Sequence, residues 1–248
     1  MIHNTNLHNI PDRYDRSPEM PVLNQLTRVT LADFISKARL PYQPTIVDMC
    51  CGTGAVSVII SEIIPNHHSI VGVDIDYSML EIANSKGKAH INILADALNT
   101  PFLDNTFDIL ICRMGVHYLG DKWVKEFSRI VKEGGHILIS ELCAPCTDSQ
   151  QWINALICDL LDNSGIKILT KENLEEILPN GFSTKHLVDI DPLEILCRKI
   201  HELTDDSKAD IFRRFQEAPE CLNFTSTSTS IQLEFVTRIS QNKRAETS

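Results

Sequence analysis

The chain has 248 residues, a hydrophobic fraction of 43% and a formal net charge of −10. That length and apolar content suit one large packed domain, or a domain carrying a sizeable insertion. The acidic balance argues against a general nucleic-acid binder, whose phosphate contacts need a basic face.

No apolar run is long enough to span a bilayer, and residues 1–15 lack the apolar stretch of a secretory signal. A cytoplasmic setting with free thiols is therefore the expectation for the eight cysteines. Cys143 and Cys146 have the spacing of a redox or metal pair. With no second pair and no adjacent His, they read as two unpaired thiols in a loop, and no metal site is expected.

Residues 1–21 read as irregular. Over 22–40 the apolar positions follow helical spacing, and Pro41 and Pro44 stop the helix. Strands and helices then alternate. The expected strands are 45–49, 69–74, 90–94, 107–112 and 136–141. The expected helices are 55–64, 78–86 and 122–132, the last ended by Gly134 and Gly135. Alternation of this kind means parallel pairing, right-handed crossovers and helices on both faces. In such sheets a ligand binds beyond the carboxyl ends of the strands, at the point where strand order reverses.

The residues just after each strand are thus the ones to read. The first strand runs into Asp48-Met49-Cys50-Cys51-Gly52-Thr53-Gly54, a Gly-rich turn that lets a ligand approach the main chain. It lacks the third glycine of the dinucleotide pattern, since Ser57 stands there, and Asp48 would repel a pyrophosphate. The same acid suits an ammonium group. Asp74 ends the second strand, where a carboxylate can accept from both hydroxyls of a ribose. Helix capping suits Asp76 or Ser78 better. Asp96 follows the third strand, where it could accept from an exocyclic amine.

Taken in order, Val47 to Gly54, Gly72-Val73-Asp74 with Met79-Leu80, Asp96-Ala97 with Pro101-Phe102, and Asn105 to Asp108 resemble the class I S-adenosylmethionine-dependent methyltransferases. The subgroup most similar is that of the ubiquinone and menaquinone C-methyltransferases (methyltransferase type 11). Arg113 to Leu119 and Lys132 to Gly135 resemble it too, so the likeness covers about 45–141. It implies a Rossmann-like, mostly parallel seven-stranded α/β sheet with helices on both faces, and the helical stretch between the last strands reads, with residues 1–40, as a helical lid. The likeness implies S-adenosyl-L-methionine as cofactor. Asp48 and the turn from Cys51 through Gly52 and Thr53 to Gly54 would hold its methionine end. Asp74 would bind the ribose, with Ile75 and Met79 on the adenine face, and Asp96 and Ala97 would read the adenine edge. Arg113 and Met114 would lie near the transferable methyl. Cys50 departs from the family, which places glycine or alanine there.

A sulfonium is already an activated methyl donor, so the protein must align it and exclude water. An oxygen or nitrogen nucleophile can also need a base. His117, a few residues past the fourth strand, is the candidate catalytic residue, with packing beside Tyr118 as the alternative. His67 and His68 read as solvated.

Beyond 141 the expected elements are helices at 150–163 and 171–178, a strand at 182–189, helices at 192–203 and 208–218, and a closing strand at 230–239. The resulting organisation is an N-terminal helical lid segment (1–40), a cofactor-binding core (41–141) and a C-terminal half of the same domain (142–248) with a substrate-side helical insertion. The reading is methyl transfer to a small-molecule acceptor, oxygen being favoured over carbon or nitrogen. Nucleic acid and membrane are not expected as partners, and a homodimer is left open. The alternative is a protein of the same fold that uses the bound sulfonium for cyclisation or isomerisation. A nicotinamide oxidoreductase is disfavoured by the missing glycine.

Overall fold

A computed structural model describes residues 15–17, 19–64, 69–161, 166–190, 205–224 and 231–243. The expected helix at 192–203, the His67–His68 pair and residues 1–14 lie outside these residues.

Seven strands form one sheet: β1 (Thr45–Met49), β2 (Ser69–Asp74), β3 (Ile91–Leu94), β4 (Phe107–Arg113), β5 (Val131–Cys143), β6 (Gly181–Ile190) and β7 (Ile231–Gln241). Their order is β3-β2-β1-β4-β5-β7-β6. The first five strands pair in parallel, and β7 runs antiparallel to both β5 and β6. From β1 the chain winds outward to β3, then returns to pair β4 on the other side. The reversal leaves a crevice past the carboxyl ends of β1 and β4.

Burial on both faces explains the nearly unbroken apolar strands. Ile46, Ile109, Ile111 and Leu138 point to one face. There they meet Leu31 and Phe34 of α1 (Met20–Lys37) and Val56, Ile59 and Ile60 of α2 (Ala55–Ile63). Val47, Leu110, Cys112, Ile137 and Ile139 point to the other face. They meet Trp123, Phe127 and Ile130 of α4 (Trp123–Ile130) and Leu174 of α6 (Lys171–Ile177). Between α2 and α4 in sequence lies α3 (Tyr77–Lys86). Asp76 caps it by accepting from Ser78 N at 2.8 Å, the role expected of that residue.

A third apolar cluster sits at the carboxyl end of the sheet. It joins Met20 and Leu23 of α1 and Met114 after β4 to Leu156 and Ile157 of α5 (Thr147–Leu161). Ile211 and Phe215 of α7 (Asp205–Phe215), Leu222, and Phe235 of β7 complete it.

Two of the shifted boundaries have a clear physical cause. The helix α1 starts at Met20 with Pro21 in its first turn, where a missing N–H is harmless. The helix α4 ends at Ile130, well before Gly134. Val131 instead pairs with Phe107, and the register shifts before Ile109 pairs with His136. Gly134 and Gly135 thus lie inside an irregular strand. Asn242 holds that irregularity by donating to the carbonyls of Ser128, Val131 and Lys132.

Phe127 is fully buried and packs on Trp123 with ring centroids 5.2 Å apart. Phe127→Ala is expected to cost about 3–5 kcal/mol of stability, measurable as a lowered midpoint in urea unfolding.

Candidate functional site

The turn joining β1 to α2 is the centre of the crevice. Cys50, Gly52 and Gly54 all have positive φ, at 54°, 54° and 78°. Gly54 is needed for two reasons: the left-handed backbone, and Ala83 of α3, whose Cβ would stand 3.1 Å from an added side chain. A Cβ at Gly52 would meet nothing within 4 Å, so this stretch of main chain faces open space.

Carboxylates grip the turn from beneath. Asp74 accepts from Gly52 N at 2.8 Å through one oxygen and from Asp76 N at 2.9 Å through the other. Burial pushes its pKa up, and these amide bonds partly offset that. Asp48 is 1% exposed and accepts from Ser57 N at 3.0 Å and Ser57 Oγ at 2.8 Å. Burial raises its pKa to about 6, against the lowering effects of Ser57 and of the Arg113 charge.

Thr53 donates through Oγ1 to Asp15 at 2.6 Å, and Lys86 donates to the other oxygen of Asp15 at 2.7 Å. A segment preceding α1 thus closes onto the turn. Nothing local in the sequence marks Asp15, because its partners are 38 and 71 residues away.

The structure distributes the remaining candidates around this turn. Ile75 is 73% exposed beside Asp74, and Met79 is half-buried on α3. Ala97 is buried, whereas Asp96 is exposed and accepts from Leu98 N at 2.8 Å. That loop is fastened from behind by Glu126, which accepts from Thr100 N and Thr100 Oγ1. The Arg129 guanidinium holds the Glu126 carboxyl at about 2. Cys51 is buried, and burial drives its thiol pKa far up. Arg113 is 4% exposed and donates to Asn24 of α1 at 2.5 Å. Met114 has φ 57°, and its N–H reaches Ser140 O at 2.8 Å.

His117 lies in a short 3₁₀ turn, Val116–Tyr118, just past β4. It stacks on Tyr118 at 3.9 Å, as the packing alternative supposed. It also forms a buried pair: Nδ1 is 2.7 Å from Oε2 of Glu141 on β5. A carboxylate there accepts from Nδ1–H and leaves Nε2 as the basic nitrogen. Glu141 is 1% exposed, and its Oε1 is buried without a hydrogen-bond partner among the described residues. Glu141 was not among the sequence candidates. Its signal was an acid inside the apolar run Ile139-Ser140-Glu141-Leu142, near the carboxyl end of a buried strand. The CxxC reading also changes. Cys143 is buried at the end of β5, and the sulfur of Cys146 lies 2.7 Å from that of Cys221.

Residues 47–139 match the family described as "Methyltransferase domain". The demethylmenaquinone methyltransferase of Staphylococcus haemolyticus is 31% identical over 147 residues, covering 57% of this chain and 61% of that protein. The chain therefore spans less than two thirds of that relative. A putative methyltransferase from Bacillus halodurans has a similar solved structure, with a TM-score of 0.72 and 19% identity over 87% of this chain and all of that one. The Haemonchus contortus phosphoethanolamine N-methyltransferase 2, solved with S-adenosyl-L-methionine, has a TM-score of 0.57 at 14% identity, over 95% of this chain and 60% of that one. At those identities the likeness is one of fold.

The strained turn gives a direct test. A Cβ at Gly115 would lie 2.7 Å from Cys50 Cβ, so Cys50 packs tightly in a left-handed conformation. Cys50→Gly is expected to keep stability within about 1 kcal/mol, while β-branched Cys50→Val loses at least about 2 kcal/mol. Thermal unfolding of the two variants measures the contrast.

Proposed function

We propose that this chain, whose residues 47–139 match a methyltransferase domain, is a class I S-adenosylmethionine-dependent methyltransferase that transfers a methyl group to a hydroxyl-bearing small molecule. The observation that carries the transfer reading is the buried His117–Glu141 pair. It stands at the carboxyl ends of β4 and β5, the same end of the sheet as the glycine turn.

The residues around the turn fit the cofactor. Open space in front of Gly52 admits a ligand to the main chain. Asp48 is a buried carboxylate whose ionised form gains from a cation, as an amino-acid ammonium would supply. Each Asp74 oxygen keeps a lone pair beyond its amide bond with which to accept from a ribose hydroxyl, and exposed Ile75 with Met79 offers an apolar face for a base. Asp96 and Ala97 would meet the adenine edge, and Arg113 and Met114 the methionine part. When bound, S-adenosylmethionine supplies an activated methyl on a sulfonium.

The chain's own residues do the rest. His117 Nε2 takes the acceptor's hydroxyl proton, and Glu141 holds the ring in the required tautomer and balances the imidazolium that forms. The α1 segment and the described part of the insertion, α7, form a roof that excludes water. This chemistry favours oxygen as the methylated atom. The demethylmenaquinone relatives support a second reading, in which His117 deprotonates a hydroxyl of a quinol-like acceptor, the adjacent ring carbon takes the methyl, and that carbon then loses its own proton.

Calorimetry with S-adenosylmethionine and S-adenosylhomocysteine tests the cofactor half. Asp74→Ala should weaken binding by on the order of 1–3 kcal/mol. Asp48 is protonated below a pKa of about 6 in the free protein and ionised above it. Cofactor affinity should therefore rise as pH climbs from about 5 to about 7 and then level off. A flat profile would remove Asp48 from the site. For the transfer half, His117→Gln should lower kcat by about 10²–10⁴ with cofactor affinity unchanged. Glu141→Gln should lower kcat and move the pH–rate profile, which a merely structural role would leave in place. Product analysis against simple phenols and quinols separates oxygen from carbon methylation, and unmethylated rearranged product would overturn the reading.

A further inference from the structure

Cys146 and Cys221 are 75 residues apart in sequence, yet their sulfurs touch at 2.7 Å. Each is fixed by its surroundings. Cys146 is the residue before α5, and its carbonyl accepts from Gln150 N at 3.0 Å and Ser149 Oγ at 2.8 Å. Its N–H donates to Ser149 Oγ at 3.2 Å, and its sulfur lies 3.4 Å from the same oxygen. Cys221 lies in the 3₁₀ turn Glu220–Leu222, which is anchored by fully buried Leu222 in the cluster at the carboxyl end of the sheet.

We propose that Cys146 and Cys221 are a reversible disulfide site, formed by exchange with low-molecular-weight disulfides, that fastens the turn after α7 to the start of α5. Cys221 is exposed and Cys146 half-buried, so both are open to a small disulfide. Cys51, Cys112 and Cys143 are buried and sheltered from it, whereas half-buried Cys50 and exposed Cys158 can take an adduct of their own.

The two thiols are unequal. Hydrogen bonds from Cys221 and Ser149 lower the pKa of Cys146, and the start of α5 also favours an anion there. Burial chiefly raises that of Cys221. Cys146 is thus the attacking thiolate. It displaces one thiolate from the small disulfide and is left as a mixed disulfide. The Cys221 thiolate then attacks the Cys146 sulfur and releases the second small thiol. The protein loses two hydrogens, and the small disulfide is reduced to two thiols.

The bond would act on the roof. Ile211 and Phe215 of α7 and Leu222 share one apolar cluster with Leu156 and Ile157 of α5. Tying residue 221 to residue 146 would hold that cluster against the end of β5, on the side where Glu141 and His117 lie.

The test uses the full chain incubated with glutathione disulfide, blocked with iodoacetamide and mapped without reduction. The expected product is one crosslink between the Cys146 and Cys221 peptides, reversed by dithiothreitol. Cys221→Ser should trap a glutathione adduct on Cys146, and Cys146→Ser should slow any modification of Cys221 at least about tenfold. Hydrogen exchange over 219–223 should slow at least about tenfold in the crosslinked form. Glutathione adducts without an internal crosslink, or a crosslink through another cysteine, would overturn the site. Unchanged exchange over 219–223 would overturn its action on the roof.

Discussion

Five residues of backbone, 50–54, must pass through three left-handed conformations and still present their amides to open space. An L side chain in that region costs roughly 1–2 kcal/mol, and the surrounding carboxylates would repel one another if they were not separately bonded. The neighbourhood answers these demands one at a time. Asp74 ties Gly52 to the start of the next loop, and Asp48 fastens the first turn of α2 through Ser57. Asp15 closes over Thr53 from a different part of the chain. The turn is rigid because three acids, each on a different element, hold it.

Rigidity of this kind lowers stability at neutral pH. Raising Asp48 from 3.8 to about 6 means the folded chain binds a proton more tightly than the unfolded chain. Its contribution to stability is full below pH 3.8 and is lost as pH rises through about 6, a loss of about 3 kcal/mol. That loss is affordable because both faces of the sheet are filled, each fully buried Ile or Leu contributing roughly 1.5–3 kcal/mol. It also leaves a carboxylate in the site whose ionised form is better stabilised by a bound cation than by the empty protein.

The alternation of strands and helices was readable because each element buries its residues locally in a fixed period, and the acids after β1, β2 and β3 stood out against apolar strands. The last two strands were readable as strands too, although the helix expected at 192–203 falls outside the described residues. The misses share one cause. Asp15 pairs with Thr53, Glu141 with His117 and Cys146 with Cys221, and none of these pairs has a spacing set by a helix or a strand. The end of α4 was misplaced for the same reason. Val131 extends because Phe107 lies beside it, and Asn242, more than a hundred residues on, stabilises that break. Gly134 and Gly135 looked like a helix stop and are instead part of an irregular strand.

The proposed roof and the sheet meet at Met114. Its backbone is left-handed and hydrogen-bonded to β5, yet its side chain belongs to the cluster formed by α1, α5, α7 and β7. Arg113, one residue earlier, reaches Asn24 of α1, and His117, three residues later, reaches Glu141 of β5. Within five residues the chain therefore touches α1, β5 and, through Gly115, Cys50 of the glycine turn. A shift of α1 or α7 cannot be absorbed by the exposed surface alone, because Met114 carries it into the segment that positions His117. Close-packed interiors transmit such displacements rather than dissipate them. Under the proposed roles, a strained residue at the end of β4 is thus the physical link by which closing the roof over an acceptor would set the geometry of His117.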